Sequence, residues 1–125
     1  METYTIVRPE HLNHQGYLFG GMMLKWVDEY AWIAASLDFT DCTMVTVGMN
    51  AVVFRQRVVN GTILRFDVRR VRRGTSSATY AVRVLADEPG GKVEKEVFST
   101  EVTFVRLGED GAKQPLPACK DGASD

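Results

Sequence analysis

The chain has 125 residues, 45% of them hydrophobic, with 15 basic and 16 acidic side chains and a formal net charge of −1. That is the size of one domain with one core. The balanced charge speaks against a dedicated nucleic-acid binder, which is normally clearly basic, and gives no sign of a polybasic membrane anchor.

In chain order, Tyr4 to Arg8 is a short β-prone run stopped by Pro9. Residues 10–21 are polar and hold Gly16, Gly20 and Gly21, the composition of a shaped loop. From Met22 to Leu37 apolar side chains recur at helical spacing. Met23, Val27, Tyr30, Ala34 and Leu37 form one stripe, widened by Met22, Trp26 and Ile33. This is the only helix the pattern predicts, and it is apolar enough to expect burial on most sides. Its few polar residues are Lys25, Asp28, Glu29 and Ser36.

Four strands are expected after it. Thr43 to Val58 is rich in Val, Thr and Phe and leads to the turn signal Asn60-Gly61. Thr62 to Arg73 alternates through Leu64, Phe66 and Val68. Its phase then slips at Arg69-Arg70, which predicts a β-bulge that turns Val71 inward. Gly74 begins a turn, Ser76 to Ala86 alternates through Tyr80, Val82 and Val84, and residues 87–91 form a hairpin connection. Val93 to Leu107 carries Phe98, Val102 and Phe104 on one face. The pattern predicts an α+β domain over residues 1–108, an antiparallel sheet covering one long helix, followed by a loose polar tail over 109–125. Such a sheet leaves open edges and an exposed face, and pairing with a second copy remedies both.

Cys42 and Cys119 fit no metal-ligand spacing, and no other ligand cluster is visible, so no metal is expected. The first residues lack the basic and apolar regions of a secretory leader. Both cysteines are therefore expected as free thiols in a cytoplasmic protein. No uncharged stretch is long enough to span a membrane.

The segment Asn13-His14-Gln15-Gly16-Tyr17-Leu18-Phe19-Gly20-Gly21, followed by Trp26-Val27-Asp28, resembles the signature of the acyl-CoA hydrolases of the hotdog superfamily. That signature is Asn, two residues, Gly, two residues, Phe-Gly-Gly, then an aspartate one helical stretch later. Arg73-Gly74-Thr75-Ser76-Ser77 resembles the family's basic-Gly-Thr-Ser segment that meets coenzyme A, and residues 109–117 resemble its tail. The similarity covers nearly the whole chain. One departure stands out: within Phe54-Arg55-Gln56-Arg57, Arg57 occupies a place where the family commonly has proline, which bears on loop shape and acyl specificity. The resemblance implies a hotdog fold and hydrolysis of acyl-CoA to carboxylic acid and coenzyme A without a cofactor. It also implies a dimer or assembly of dimers with sites built across two chains.

Thioester hydrolysis needs a group to activate water or attack the carbonyl, and donors for the developing oxyanion. Gly20 and Gly21 precede the helix, where free first-turn N–H groups point outward with the positive end of the helix dipole. By themselves they are as well explained as a flexible helix start; the resemblance favours an oxyanion site. Asp28 and Glu29 compete for the acid–base or nucleophilic role, since either can instead pair with Lys25. The residues alone leave a near tie, and the resemblance favours Asp28. Asn13 either positions water or the carbonyl, or makes an Asx-turn. His11 and His14 raise the alternative of a hotdog dehydratase, and a non-catalytic acyl-CoA-binding protein is a third reading. Arg65, Arg69, Arg70, Arg72 and Arg73 read mainly as a solvated strand face. Arg73, with Gly74, Thr75, Ser76 and Ser77, is the candidate for the coenzyme. Gly20 and Asp28 lie eight positions apart, roughly 12 Å along a helix axis, so a carbonyl at the helix start is expected to meet the Asp28 of another chain.

Overall fold

A computed structural model describes residues 1–120. The chain runs through β1 (Glu2–Ile6), a 3₁₀ turn (Pro9–His11), α1 (Gly20–Asp38), β2 (Thr43–Phe54), β3 (Ile63–Arg73), β4 (Ser77–Asp87) and β5 (Lys95–Leu107). The five strands form one antiparallel sheet in the order β1-β3-β4-β5-β2. Because β1 and β2 lie at opposite edges, the segment between them must cross the sheet, and α1 makes that crossing over one face.

The alternation read in the strands supplies this face. Leu64, Phe66 and Val68 of β3, Tyr80, Val82 and Val84 of β4, and Phe98, Val102 and Phe104 of β5 are buried. They pack with Met23, Trp26, Val27, Ala31, Ala34 and Ala35 of α1. The three alanines keep the helix surface low, so the large sheet side chains can fill the interlayer space. Tyr30 and Trp26 both meet the Phe66 ring edge-on, at 4.9 and 6.2 Å between centroids.

Four expectations need correction. The helix begins at Gly20 rather than Met22, because the Phe19 carbonyl accepts from the N–H groups of Met22 and Met23. Its buried stripe passes through Trp26, Ala31 and Ala35, while Leu37 is 55% exposed. Consequently α1 is not covered on most sides: Gly21, Lys25, Glu29 and Trp32 form an open face. A bulge does interrupt β3, between Arg70 and Arg72, but Val71 is the extra residue and is 42% exposed rather than turned inward. Finally, the segment after β5 is not loose as far as Lys120. Leu116 and Cys119 are buried. The Leu116 N–H donates to the Thr75 carbonyl, and that of Lys120 to the Asp38 carbonyl, each at 2.8 Å. Residues 121–125 of the expected tail lie outside the described residues.

β2 is an edge strand of unusual character. Val47, Val52, Val53 and Phe54 are all exposed, so a long apolar strand presents unpaired backbone groups along one side. Cys42 and Cys119 are not joined in a disulfide, and burial raises the pKa of Cys42. No helix among the described residues is long and apolar enough to cross a membrane.

Candidate active site

The loop before α1 is fixed by its own backbone. The Asn13 N–H donates to the Tyr17 carbonyl at 2.7 Å, and the Gly16 N–H donates to the Asn13 carbonyl at 3.0 Å, with Gly16 at φ +85°. Asn13 Oδ1 accepts from the N–H groups of Gln15 and Tyr17 at 2.9 and 3.2 Å. This is the Asx-type turn considered for a loop asparagine, and it has a further effect. With Oδ1 committed to the loop, the amide is held in one orientation and its Nδ2 donor has no protein acceptor among the described residues.

Loop and helix start are tied to the rest of the fold by two bonds. Leu18 N–H donates to the Val58 carbonyl at 2.8 Å and Phe19 N–H to the His11 carbonyl at 3.0 Å. The helix start itself is uncapped. Among the described residues no side chain accepts from its first turn, and no acidic residue lies there. The N–H groups of Gly20 and Gly21 therefore keep free hydrogens at the positive end of the helix. The two glycines differ in what surrounds them. A Cβ on Gly20 would touch the Phe54 ring at 3.5 Å, an ordinary contact. A Cβ on Gly21 would fall 2.5 Å from Cε2 of Phe19, so the Phe19 ring occupies the space a side chain would need.

Asn13, Gly20 and Met23 share a cavity of about 320 Å³ whose far wall is Phe54, Arg57 and Val97. Asp28 does not line it. Its carboxylate accepts from Thr46 Oγ1 at 2.6 Å and borders a separate concavity with Lys25, Glu29 and Trp32. The sheet register explains the separation. Phe54 pairs with Phe98 and Thr46 with Phe104, so the two side chains that mark the sites lie six residues apart measured along β5. Neither Asp28 nor Glu29 is paired with Lys25 among the described residues, although the spacing allowed either pair.

The histidines carry no sign of catalysis. His11 Nδ1 accepts from the Arg8 N–H at 3.0 Å and its ring stands edge-on to Trp26 at 4.8 Å, so it is a packed, half-buried residue rather than a solvated one. His14 is exposed. The arginines of β3 are mostly engaged in ion pairs: Arg65 with Glu94, Arg69 with Asp67, Arg70 with Asp38 and Arg72 with Glu101. Arg73 is also committed. Its guanidinium donates to the Pro117 carbonyl at 2.8 Å and lies over the Phe39 ring at 5.0 Å. The Gly74 N–H donates to the Ser77 carbonyl, and the carbonyls of Thr75 and Ser76 accept from Leu116 and Arg106. Residues 73–77 thus form a braced turn, with Ser77 opposite Val105 at the Thr46 end of the sheet. Arg73's bonds give it a structural part that its position beside a Gly-Thr-Ser segment did not suggest.

Two features of this region were not read from the sequence. Thr46 gave no signal among the valines and threonines of its strand. The wall formed by residues 54–58 was visible only as the departure at Arg57. Among the described residues no group of three or more His, Cys, Asp or Glu is placed to hold a metal.

Residues 15–93 match the family model of the thioesterase superfamily. An acyl-CoA thioester hydrolase of Salmonella typhimurium is 31% identical over 119 residues, covering 90% of this chain and 86% of the relative. The structure of a hexameric hotdog-fold thioesterase of Campylobacter jejuni superposes with a TM-score of 0.81 at 30% identity, covering 92% of this chain and 88% of that one. An acyl-CoA hydrolase of Staphylococcus aureus, solved with butyryl coenzyme A and coenzyme A, gives a TM-score of 0.83 at 26% identity, over 94% and 71% of the two chains. The chain spans only 20% of the mouse acyl-coenzyme A thioesterase 11, to which it is 27% identical. The chain belongs to the thioesterase superfamily and has the hotdog fold.

Proposed function

We propose that this chain hydrolyses acyl-CoA thioesters, at sites each assembled from two copies. The activity is supported by the relatives, which are acyl-CoA hydrolases along most of this chain's length. The observation that carries the shared site is the placement of Asp28 at the opposite end of β2 from the cavity that holds Asn13 and Gly20. β2 is the apolar, unpaired edge of the sheet. An antiparallel, two-fold pairing of β2 with its copy, centred near Asn50, sets the Thr46 end of one chain against the Phe54 end of the other. Asp28 of one copy then arrives at the cavity of the second. The C. jejuni relative is hexameric, and a hexamer built as three such dimers keeps every pair intact.

In this reading the thioester carbonyl accepts from the free N–H groups of Gly20 and Gly21, which stabilise the oxyanion as it forms. Asn13 Nδ2 donates to the carbonyl or to the attacking water. The bond from Thr46 holds one oxygen of Asp28 and leaves the other to take a proton from water or to attack directly. Water oxygen joins the acyl carbon, the carbon–sulfur bond breaks, and the departing thiolate takes a proton to give coenzyme A and the carboxylic acid. The turn at 73–77 lies on the Asp28 side of the paired site, where Gly74, Thr75, Ser76 and Ser77 can meet the coenzyme, while Arg73 braces the turn.

The committed Nδ1 of His11 and the exposed position of His14 weigh against the dehydratase alternative. Thiol release measured over acyl-CoAs of graded chain length tests the proposal. Release from at least one is expected. Tight acyl-CoA binding with no release above the blank would replace it with the binding-protein reading.

A further inference from the structure

We infer that Arg57 makes this site select acyl groups carrying a second, anionic carboxylate. The inference rests on the acyl-CoA hydrolase reading above and names the substrate class within it. Arg57 lines the cavity that also holds Asn13 and Gly20.

Arg55, two positions back on the same wall, donates to Glu96 at 2.7 Å, and Arg83 shares that carboxylate at 2.6 Å. Arg57 has no ion pair among the described residues. Its guanidinium lies over the Tyr17 ring at 4.9 Å instead. Stacking on an aromatic face holds the planar cation in place without using its N–H donors, which remain at the edges of the plane for a carboxylate. Among the described residues of the same chain no Asp or Glu lines the cavity, and Gln15 and Gln56 add side-chain amides to the same lining. Together with the helix start at Gly20, the Arg57 guanidinium gives this chain's wall of the cavity a positive character that suits an anionic group.

An acyl-CoA has anions at two places, a carboxylate at the far end of some acyl groups and the phosphates of the coenzyme. The position of Arg57 favours the first. It shares a cavity of about 320 Å³ with the groups proposed to hold the thioester carbonyl. The long pantetheine arm keeps the phosphates well away from that carbonyl, whereas the end of a short dicarboxylic acyl group lies a few carbons from it. The apolar part of the lining, with Met23, Phe54 and Val97, suits those intervening methylenes.

The test compares kcat/KM for succinyl- and glutaryl-CoA with that for butyryl- and valeryl-CoA, in the wild-type protein and in Arg57→Gln and Arg57→Lys. Wild type is expected to favour the dicarboxylic substrates. Arg57→Gln should lower the ratio of kcat/KM for the dicarboxylic substrates to that for the neutral ones by about tenfold or more, the size of a lost charge-assisted hydrogen bond. Arg57→Lys should restore part of the loss. The same preference should persist in acyl-pantetheine thioesters, which lack the nucleotide phosphates. A uniform rise in KM for every acyl-CoA that disappears with pantetheine substrates would assign Arg57 to phosphate and overturn the inference. So would an equal fall in kcat for all substrates, which would make it an oxyanion donor, or no change at all. Failure of every thioester in wild type would instead refute the hydrolase reading itself, while hydrolysis of neutral substrates with no dicarboxylic preference refutes only the role of Arg57.

Discussion

Asp28 on α1 accepts a hydrogen bond of 2.6 Å from Thr46 on β2, so this helix carboxylate is held at the unpaired edge of the sheet. Glu29, its neighbour, is exposed and makes no such bond. The two acids that the residue pattern left nearly tied are therefore in different situations. Asp28→Asn should keep the fold and coenzyme A binding yet lower kcat by at least about a hundredfold, because the amide can neither take a proton nor attack. Glu29→Gln should stay within about threefold of wild type. Thr46→Val should fall between, since it frees the carboxylate to rotate without removing it. Steady-state kinetics of the three variants, with circular dichroism as the control for folding, checks the ranking. The reverse order would name Glu29 instead.

The exposed edge strand makes a second prediction. Val47 is 59% exposed on β2, where the proposed pairing would cover it. A lysine at such an edge discourages strand addition. Val47→Lys should therefore shift the protein towards smaller species in analytical ultracentrifugation, and activity should fall with the loss of association rather than independently of it. An unchanged mass would place the pairing on another surface.

The segment after β5 makes a third. Leu116 is buried, its N–H bonds to Thr75, and Arg73 donates to the carbonyls of Leu116 and Pro117. Leu116→Ala should cost about 2–3 kcal/mol through lost burial and the space left behind, read as a lower urea midpoint with an unchanged slope. A loose tail would leave the midpoint where it was.

The ease with which the parts of this molecule could be read differs for physical reasons. Leu64, Phe66 and Val68, and their counterparts on β4 and β5, have one face buried and the other solvated, and period-two alternation reports that directly. The helix was equally plain, but its rotation was not. Ala31 and Ala35 are as buried as Val27, yet a small side chain weighs little in an apolar stripe, and Leu37 drew the stripe the wrong way. Leu116 and Cys119 are isolated in a polar segment and have no period to reveal them. The candidate site was proposed chiefly from the resemblance. Asn13, Gly20 and Asp28 do not converge within one chain, and the wall from Phe54 to Val58 reaches the cavity only after the chain has crossed the sheet.

Mixing two inactive variants shows whether the thioesterase site is divided between two chains. Asn13→Ala and Asp28→Asn chains are co-expressed with different affinity tags, mixed assemblies are confirmed by tandem purification, and thiol release is measured on the unfractionated population. Each variant alone should be nearly inactive. Random pairing makes half the dimers mixed, and each mixed dimer has one site with intact Asn13 from one copy and intact Asp28 from the other, so roughly a quarter of wild-type activity should return. Confirmed mixed dimers that remain as inactive as either parent would contradict the account, because every site would then draw both residues from a single chain.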